Sequence, residues 1–352
     1  MGVSFVMSFF AVLFALIIEQ ARPLARANWI HSSFRLWARW TSRSLDAGKP
    51  HHGWIAWTVA VVVPALATLL IHWLLWSISP LLAFAWSVII LYVTLGFRQF
   101  SHHFTAIRDA LDDGDEDSAR ELLAAWRQVD ASELPRSEIV RHVIEYSVLA
   151  AHRHVFGVLA WFSVLAALGL GPAGAVLYRM SEFLSRYWLY KSKSPTAAAG
   201  EGASAALQAV VTKAWGVIDF VPARLTSLGF AVVGSFEDAI DAWRSYAQRF
   251  PAGVPTASEN RNDGVILAAT SGAVNVRLGG EALKASASRF SPDASQGFQA
   301  AGAGSDGAAV TGTTSGRTPE VAHLRSIVGL VWRSVVLWMV LLALLTLARL
   351  LG

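Results

Sequence analysis

The sequence predicts an all-α integral membrane protein with about four transmembrane helices, a re-entrant broken helix and cytoplasmic amphipathic helices. Three observations carry that expectation. Trp54 to Trp76 is an apolar run with Trp at both ends and one ionisable side chain, His72, near its close. A helix needs roughly 20 apolar residues to cross about 30 Å of hydrocarbon, and Trp rings suit the headgroup layers. The 352 residues are 54% hydrophobic and 15% charged, with a mean hydropathy of +0.44, whereas soluble domains carry roughly 25% charge. Finally, Leu168-Gly169-Leu170-Gly171-Pro172-Ala173-Gly174 sets helix breakers inside an apolar segment. Interrupted backbone at membrane depth is tolerated only where protein or water satisfies it.

Taken in order, Val3 to Ile18 has the apolar core of a signal peptide. It lacks a basic start and runs into Glu19-Gln20-Ala21-Arg22 instead of a small-x-small cleavage site, so it reads as an uncleaved first helix. The next loop holds Arg22, Arg26, Arg35, Arg39, Arg43 and Lys49 against Glu19 and Asp46, which places it in the cytoplasm by the positive-inside rule. Trp54–Trp76 and Leu81–Phe97 then form a tight hairpin through Ser77 to Pro80. The stretch Arg98 to Arg153 is charged and helix-patterned, with Ala119, Leu122, Leu123 and Trp126 on one face of Glu116–Trp126. It reads as an amphipathic element at or under the membrane. Asp112-Asp113-Gly114-Asp115 is a turn and solvated helix cap, because the glycine is misplaced for a calcium loop.

A simple crossing by Val155–Tyr178 would leave Arg179, Arg186, Lys191 and Lys193 outside, against the charge rule. A re-entrant segment returning to the cytoplasm is therefore expected. Ser194–Ala206 reads as a linker, Leu207–Phe250 as an amphipathic stretch, and Ile327–Ala348 as the last span. Glu281–Thr318 is too poor in large apolar groups to offset its ordering entropy and is expected to be a disordered tether. The organisation is thus a membrane domain over 1–280, a tether over 281–318 and a C-terminal helix over 319–352.

The net charge of +4 does not point to nucleic acid, since no stripe of basic and aromatic residues recurs on one face. The Lys and Arg residues lie beside apolar segments, where they meet anionic lipid. With no cysteine, disulfides, a thiol nucleophile and a Cys-ligated metal are excluded. No phosphate loop, nucleotide fingerprint, nucleophile elbow or zinc-protease helix occurs.

Four polar constellations remain. His102 and His103, with Gln99, are helix neighbours pointing about 100° apart, so they form no chelating pair and no metal site is expected. Arg141 and Glu145 are one turn apart and can pair; with His152, Arg153 and His154 they read either as an interfacial collar or as a contact for phosphate. In Asp219-Phe220-Val221-Pro222-Ala223-Arg224-Leu225-Thr226, proline starts a helix and Arg224 falls in its first turn, where an acid would suit the dipole. A phosphate held between Arg224 and backbone amides explains that base, as does a salt bridge to Asp219 or Glu182. Asn260-Arg261-Asn262-Asp263-Gly264 reads as a tight loop whose amides can cradle an anion.

In sequence order these motifs resemble the CobD/CbiB superfamily of membrane proteins and its relative AmpE. Val221-Pro222-Ala223-Arg224-Leu225-Thr226 is similar to the family's I-P-A-R-L-T. Gly171-Pro172-Ala173-Gly174 through Tyr178-Arg179 is similar to its P-G-A and Y-R, and Val276-Arg277-Leu278-Gly279-Gly280 to its V-R-L-G-G. Arg141 and Glu145 match its R-x-x-V-E-S, and Asn262 and Gly264 its S-P-N-A-G. The chain departs where the family carries acids: Val148-Leu149-Ala150 stands for A-E-N, Trp215-Gly216 for D-D, Glu182-Phe183-Leu184-Ser185 for N-T-L-D and Ile266-Leu267-Ala268 for P-E-A.

The resemblance implies an inner (plasma) membrane protein of cobalamin biosynthesis, joining a phosphorylated amino alcohol to a corrinoid precursor, adenosylcobyric acid, through an amide bond. Carboxyl activation implies nucleotide and magnesium if the family activity is retained, and the lost carboxylates would remove the clamp for them. It further implies that Arg141, Arg179 and Arg224 hold phosphate, Glu145 and Asp219 supply acidic chemistry, and Asn262-Asp263-Gly264 closes the site. The AmpE resemblance implies instead a non-catalytic sensor or regulator linked to β-lactamase induction.

Overall fold

The computed structural model describes residues 2–22, 29–127, 130–193, 203–250, 261–280 and 314–351. Among these the chain is helical, with one isolated bridge, Val276 to Arg317, and no named strand. The helices are α1 (Gly2–Ala21), α2 (Trp29–Leu45), α3 (Pro50–Ile78), α4 (Pro80–Thr94), α5 (Phe97–Asp112), α6 (Glu116–Arg127) and α7 (Arg136–Ala151). They continue as α8 (Gly157–Ala167), α9 (Ala173–Lys193), α10 (Ala205–Ile218), α11 (Phe220–Val233), α12 (Phe236–Arg249), α13 (Arg261–Val274) and α14 (Val321–Leu351). A π turn, His152–Phe156, joins α7 to α8.

Among the described residues three helical runs are long and apolar enough to cross a membrane: α3, the stretch Arg136–Ala167, and α14. The broken pair α10 and α11 passes the same test together, while Val6–Ala21 and Pro80–Thr94 are shorter apolar helices. Two expectations change here. The Arg98–Arg153 stretch is amphipathic in α5 and α6, but α7 is buried almost all round. Leu207–Phe250 is amphipathic only in α12; α10 and α11 are apolar and leave Val217, Phe220, Val221, Leu228 and Val232 exposed.

The chain divides into two compact units, one of Met1–Gln99, Arg153–Pro222 and Met339–Gly352, the other of Phe100–His152 and Ala223–Trp338. In the first, α3 packs on α2, α4, α9 and α10. Its buried side is mostly small, with Gly53, Ala56, Ala60 and Ala65 beside Val61, Thr68 and Leu69, while Val63, Leu66, Leu70 and Leu74 are exposed. Small residues at the packed face with large apolar ones outside is the pattern of a helix in lipid. Gly157 abuts Tyr178 and Gly174 abuts the Trp161 backbone; as one number rises the other falls, so α8 and α9 run antiparallel.

The glycine-rich break is therefore the turn of that helix pair. Gly169 and Gly171 take positive φ, 78° and 56°, a conformation that side-chain-bearing residues resist. Gly171 sits against the His72 ring, and Trp73 Nε1 donates to Gly169 O at 3.4 Å. His72 lies roughly 33 Å along α3 at 1.5 Å per residue. The break thus lies beside the last turns of α3.

In the second unit α13 packs on α12 and α7, and every residue from Asn262 to Ala273 is buried. After Asn275 turns the chain with φ of 52°, Val276 to Leu278 runs beside 314–317. Arg277 N donates to Arg317 O and Thr314 N to Leu278 O, both at 2.8 Å. Residues 314–318, expected in the disordered tether, are pinned by these bonds; 281–313 lie outside the described residues. Of the expected linker, 194–202 also lie outside them, and Ser204 caps α10 by accepting from Leu207 N. The Asp115 side chain accepts from Ser118 N at 3.0 Å and caps α6. Those bonds from Ser118 hold its carboxyl below the usual carboxylate range.

Candidate functional site

Side chains three and four apart on a helix are neighbours, and α7 uses that spacing to surround Arg141. The Nη1 group donates to Glu145 Oε1 at 3.0 Å, and Nε to Glu138 Oε2 at 2.8 Å. Nη2 contacts His142 Nε2 at 2.9 Å. A guanidinium only donates, so His142 Nε2 accepts and the neutral ring carries its hydrogen on Nδ1, 3.7 Å from Glu145 Oε2. Glu145 is fully buried, and its Oε1 also accepts the Gly279 amide at 2.7 Å. A buried charge needs such partners. The pairing expected from the spacing forms, and it fastens the Val276–Gly280 segment to α7.

The second polar group of this unit gathers α11, α12 and α13. Half-buried Arg224 donates Nη1 to Asn262 Oδ1. Asn262, Asp263 and Gly264 form the first turn of α13 instead of the expected tight loop, and Asn260 lies outside the described residues. The physical reason is that an acid in a first turn complements the helix dipole, and a continuous run of small and apolar residues follows. Gly264 leaves room for Tyr246 of α12: a Cβ there would overlap the tyrosine hydroxyl. Tyr246 is 7% exposed. Burial pushes its hydroxyl pKa up, against the pull of Arg261 and with the push of Asp263.

In the first unit, Asp219 ends α10 and is fully buried. Its Oδ1 accepts from the Tyr178 hydroxyl at 2.8 Å, and the Tyr178 ring packs on Trp215. One residue on, Arg179 pairs with Glu182, whose other oxygen takes Arg186. The predicted site residues therefore fall in two groups. Arg141, Glu145, Arg224, Asn262, Asp263 and Gly264 belong to the second unit, and Arg179 and Asp219 to the first.

Of the residues read as an interfacial collar or a phosphate contact, His152 Nδ1 meets Thr226 Oγ1 at 2.8 Å, and Arg153 and His154 are buried. His103 stacks on Trp126. Glu138, His142 and Tyr246 were not singled out in the sequence. Glu138 was readable three residues before Arg141 on the same face, whereas nothing local marks Tyr246.

The nucleotide and magnesium implied by the resemblance would need acidic donors. Among the described residues no three His, Cys, Asp or Glu side chains gather closely enough to hold a metal ion. Leu149 and Trp215, standing where the family carries acids, are buried apolar side chains. A magnesium clamp built from protein carboxylates does not fit these residues.

Comparison with known proteins accords with this motif set. A protein named cobalamin biosynthesis protein CobD from Stutzerimonas stutzeri (strain A1501) is 28% identical over 295 residues, covering 84% of this chain and 82% of that protein. One of the same name from Chromobacterium violaceum is 32% identical over 209 residues, 59% of this chain and 60% of that protein. Another, from Leptospira interrogans, is 25% identical over 243 residues, 68% of this chain and 69% of its own. No solved structure matches the chain. The sequence model of the family described as CobD/Cbib protein matches residues 8–303, and with most of its length matched, the chain belongs to the CobD/CbiB family.

Proposed function

We propose that this protein is a bacterial inner-membrane component of cobalamin biosynthesis, acting where a phosphorylated amino alcohol is joined by an amide bond to a corrinoid carboxyl. Its main polar segments face the cytoplasm, a placement supported by Arg35, Arg39 and Arg43 beside the first spans. The observation that carries the reading is that separated family motifs bond to one another within one unit. Glu145 holds Gly279, 134 residues away, and Arg224 holds Asn262, 38 residues away.

Arg224, with Arg261 and the first-turn amides of α13, binds phosphate, because helix N-terminal amides and guanidinium groups both favour anions. Glu145 and Arg141 keep the Gly279-Gly280 backbone in place, and Asp219 orients the Tyr178 hydroxyl. Detergent-purified protein supplied with adenosylcobyric acid, an aminopropanol phosphate, ATP and magnesium should form the amide product, read by mass spectrometry. Absence of product with a protein that still binds the phosphorylated amine removes the catalytic reading.

A specific observation favours a second reading. Buried Leu149 and Trp215 at acid positions of the family support a ligand-binding sensor without turnover, of the AmpE kind. Under that reading the same protein binds a ligand or regulatory partner, and deletion of its gene changes cell-wall stress responses while leaving corrinoid assembly intact.

A further inference from the structure

Tyr246 has a buried ring whose hydroxyl lies against the first turn of α13. Among the described residues that hydroxyl has no hydrogen-bond partner, although a buried tyrosine ordinarily finds one. Around it stand Arg261, Asp263 and Arg224, all near enough to influence its ionisation. The two arginines are half-buried. The fold also keeps position 264 clear for the hydroxyl, since any side chain there would displace it.

We infer that Tyr246 is a ligand-binding residue of this site, donating its hydroxyl hydrogen to the phosphate of a soluble phosphorylated amino alcohol that lies between Arg224 and Arg261. The inference rests on the proposed reading of the site and adds to it a contact that separates phosphorylated from unphosphorylated ligand. Two guanidinium charges face the phosphate, and the carboxylate of Asp263 faces the ammonium end. A phenol kept protonated by burial remains a donor across the physiological range.

The test is calorimetric titration of the full chain in detergent with phosphoethanolamine, using ethanolamine as the unphosphorylated control. Tyr246→Phe should weaken phosphoethanolamine binding about tenfold, the value of one hydrogen bond to a charged group, and leave ethanolamine unchanged. Full affinity in Tyr246→Phe, with affinity lost in Arg224→Ala, overturns the role of Tyr246 and leaves the proposed function standing. No binding by the unaltered protein removes both. Weaker binding in phosphatidylcholine nanodiscs that contain phosphatidylethanolamine would assign the site to a lipid headgroup and overturn the soluble ligand.

A second measurement guards against a folding defect in the variant. With 3-fluorotyrosine at the six tyrosines, the fluorine resonance missing from Tyr246→Phe identifies position 246. That resonance should shift when phosphoethanolamine is added; an unmoved signal under saturating ligand overturns the inference.

Discussion

Helices α13 and α14 reverse the usual relation between polarity and burial. α13 contains Arg, Asn, Asp, Thr and Ser, yet its residues from Asn262 to Ala273 are all buried. α14 is apolar for most of its length, yet only 11% of its most apolar window is buried, leaving Val336, Val340, Leu344 and Leu347 exposed. In water α14 would be an aggregation hazard. In hydrocarbon its large side chains need no protein partner, whereas polar groups must be satisfied inside the protein. Small residues also allow close backbone approach, as where Gly272 meets the Asp238 backbone and Gly234 meets Ala273.

The comparison can be broken most severely at its polar side. Arg141→Met should cost about 3–5 kcal/mol, because Glu145 is left buried without its cation; the measurement is the unfolding midpoint in mixed SDS micelles, and a shift under one fifth of that would deny the pair its role. On the apolar side, Val340→Arg should oppose membrane integration by about 2.5–3.5 kcal/mol at a span centre. A glycosylation-site insertion assay reads this directly, and unchanged integration would mean that α14 does not face lipid.

Two glycines sharpen the contrast. Gly272→Val forces α12 and α13 apart and should destabilise by about 1–3 kcal/mol. Gly329 of α14 has nothing near the position of a Cβ, so Gly329→Ala should be neutral or gain about 0.5–1 kcal/mol in helix stability. Opposite signs in the same unfolding assay support the assignment of faces; equal losses contradict it. The smallest effect is at alkaline pH. Because the Tyr246 pKa is raised in the folded protein, its contribution is fully present below its unfolded value near 10 and fades as pH rises through the folded one. Wild type should therefore lose stability relative to Tyr246→Phe only above about pH 10, and a difference that changes between pH 6 and 8 would refute this.

Much of this was legible locally. The apolar spans around Trp54–Trp76 and Ile327–Ala348, the Asp115 cap and the Arg141–Glu145 pair follow from run length, turn residues and helical spacing, which act within a few residues. The motif order in Val221–Thr226 and Val276–Gly280 carried the family. Two readings failed for a common reason. Asn262-Asp263-Gly264 looked like a loop because the residues that start helices also make turns. α7 looked like a surface helix because its charges were counted without their partners: Glu138 and Gly279 close round Arg141 and Glu145, and Gly279 is far away in the chain.

By itself the sequence determined that the chain is helical, that its long apolar segments require a bilayer, and that it carries the CobD/CbiB motifs. Tertiary structure alone decided that the glycine-rich segment is a turn beside the end of α3, that Tyr246 meets Gly264, and that Glu145 anchors Gly279. The division has a physical basis: hydropathy and backbone propensity are properties of consecutive residues, whereas a buried polar group is stable only with partners that folding brings from elsewhere in the chain.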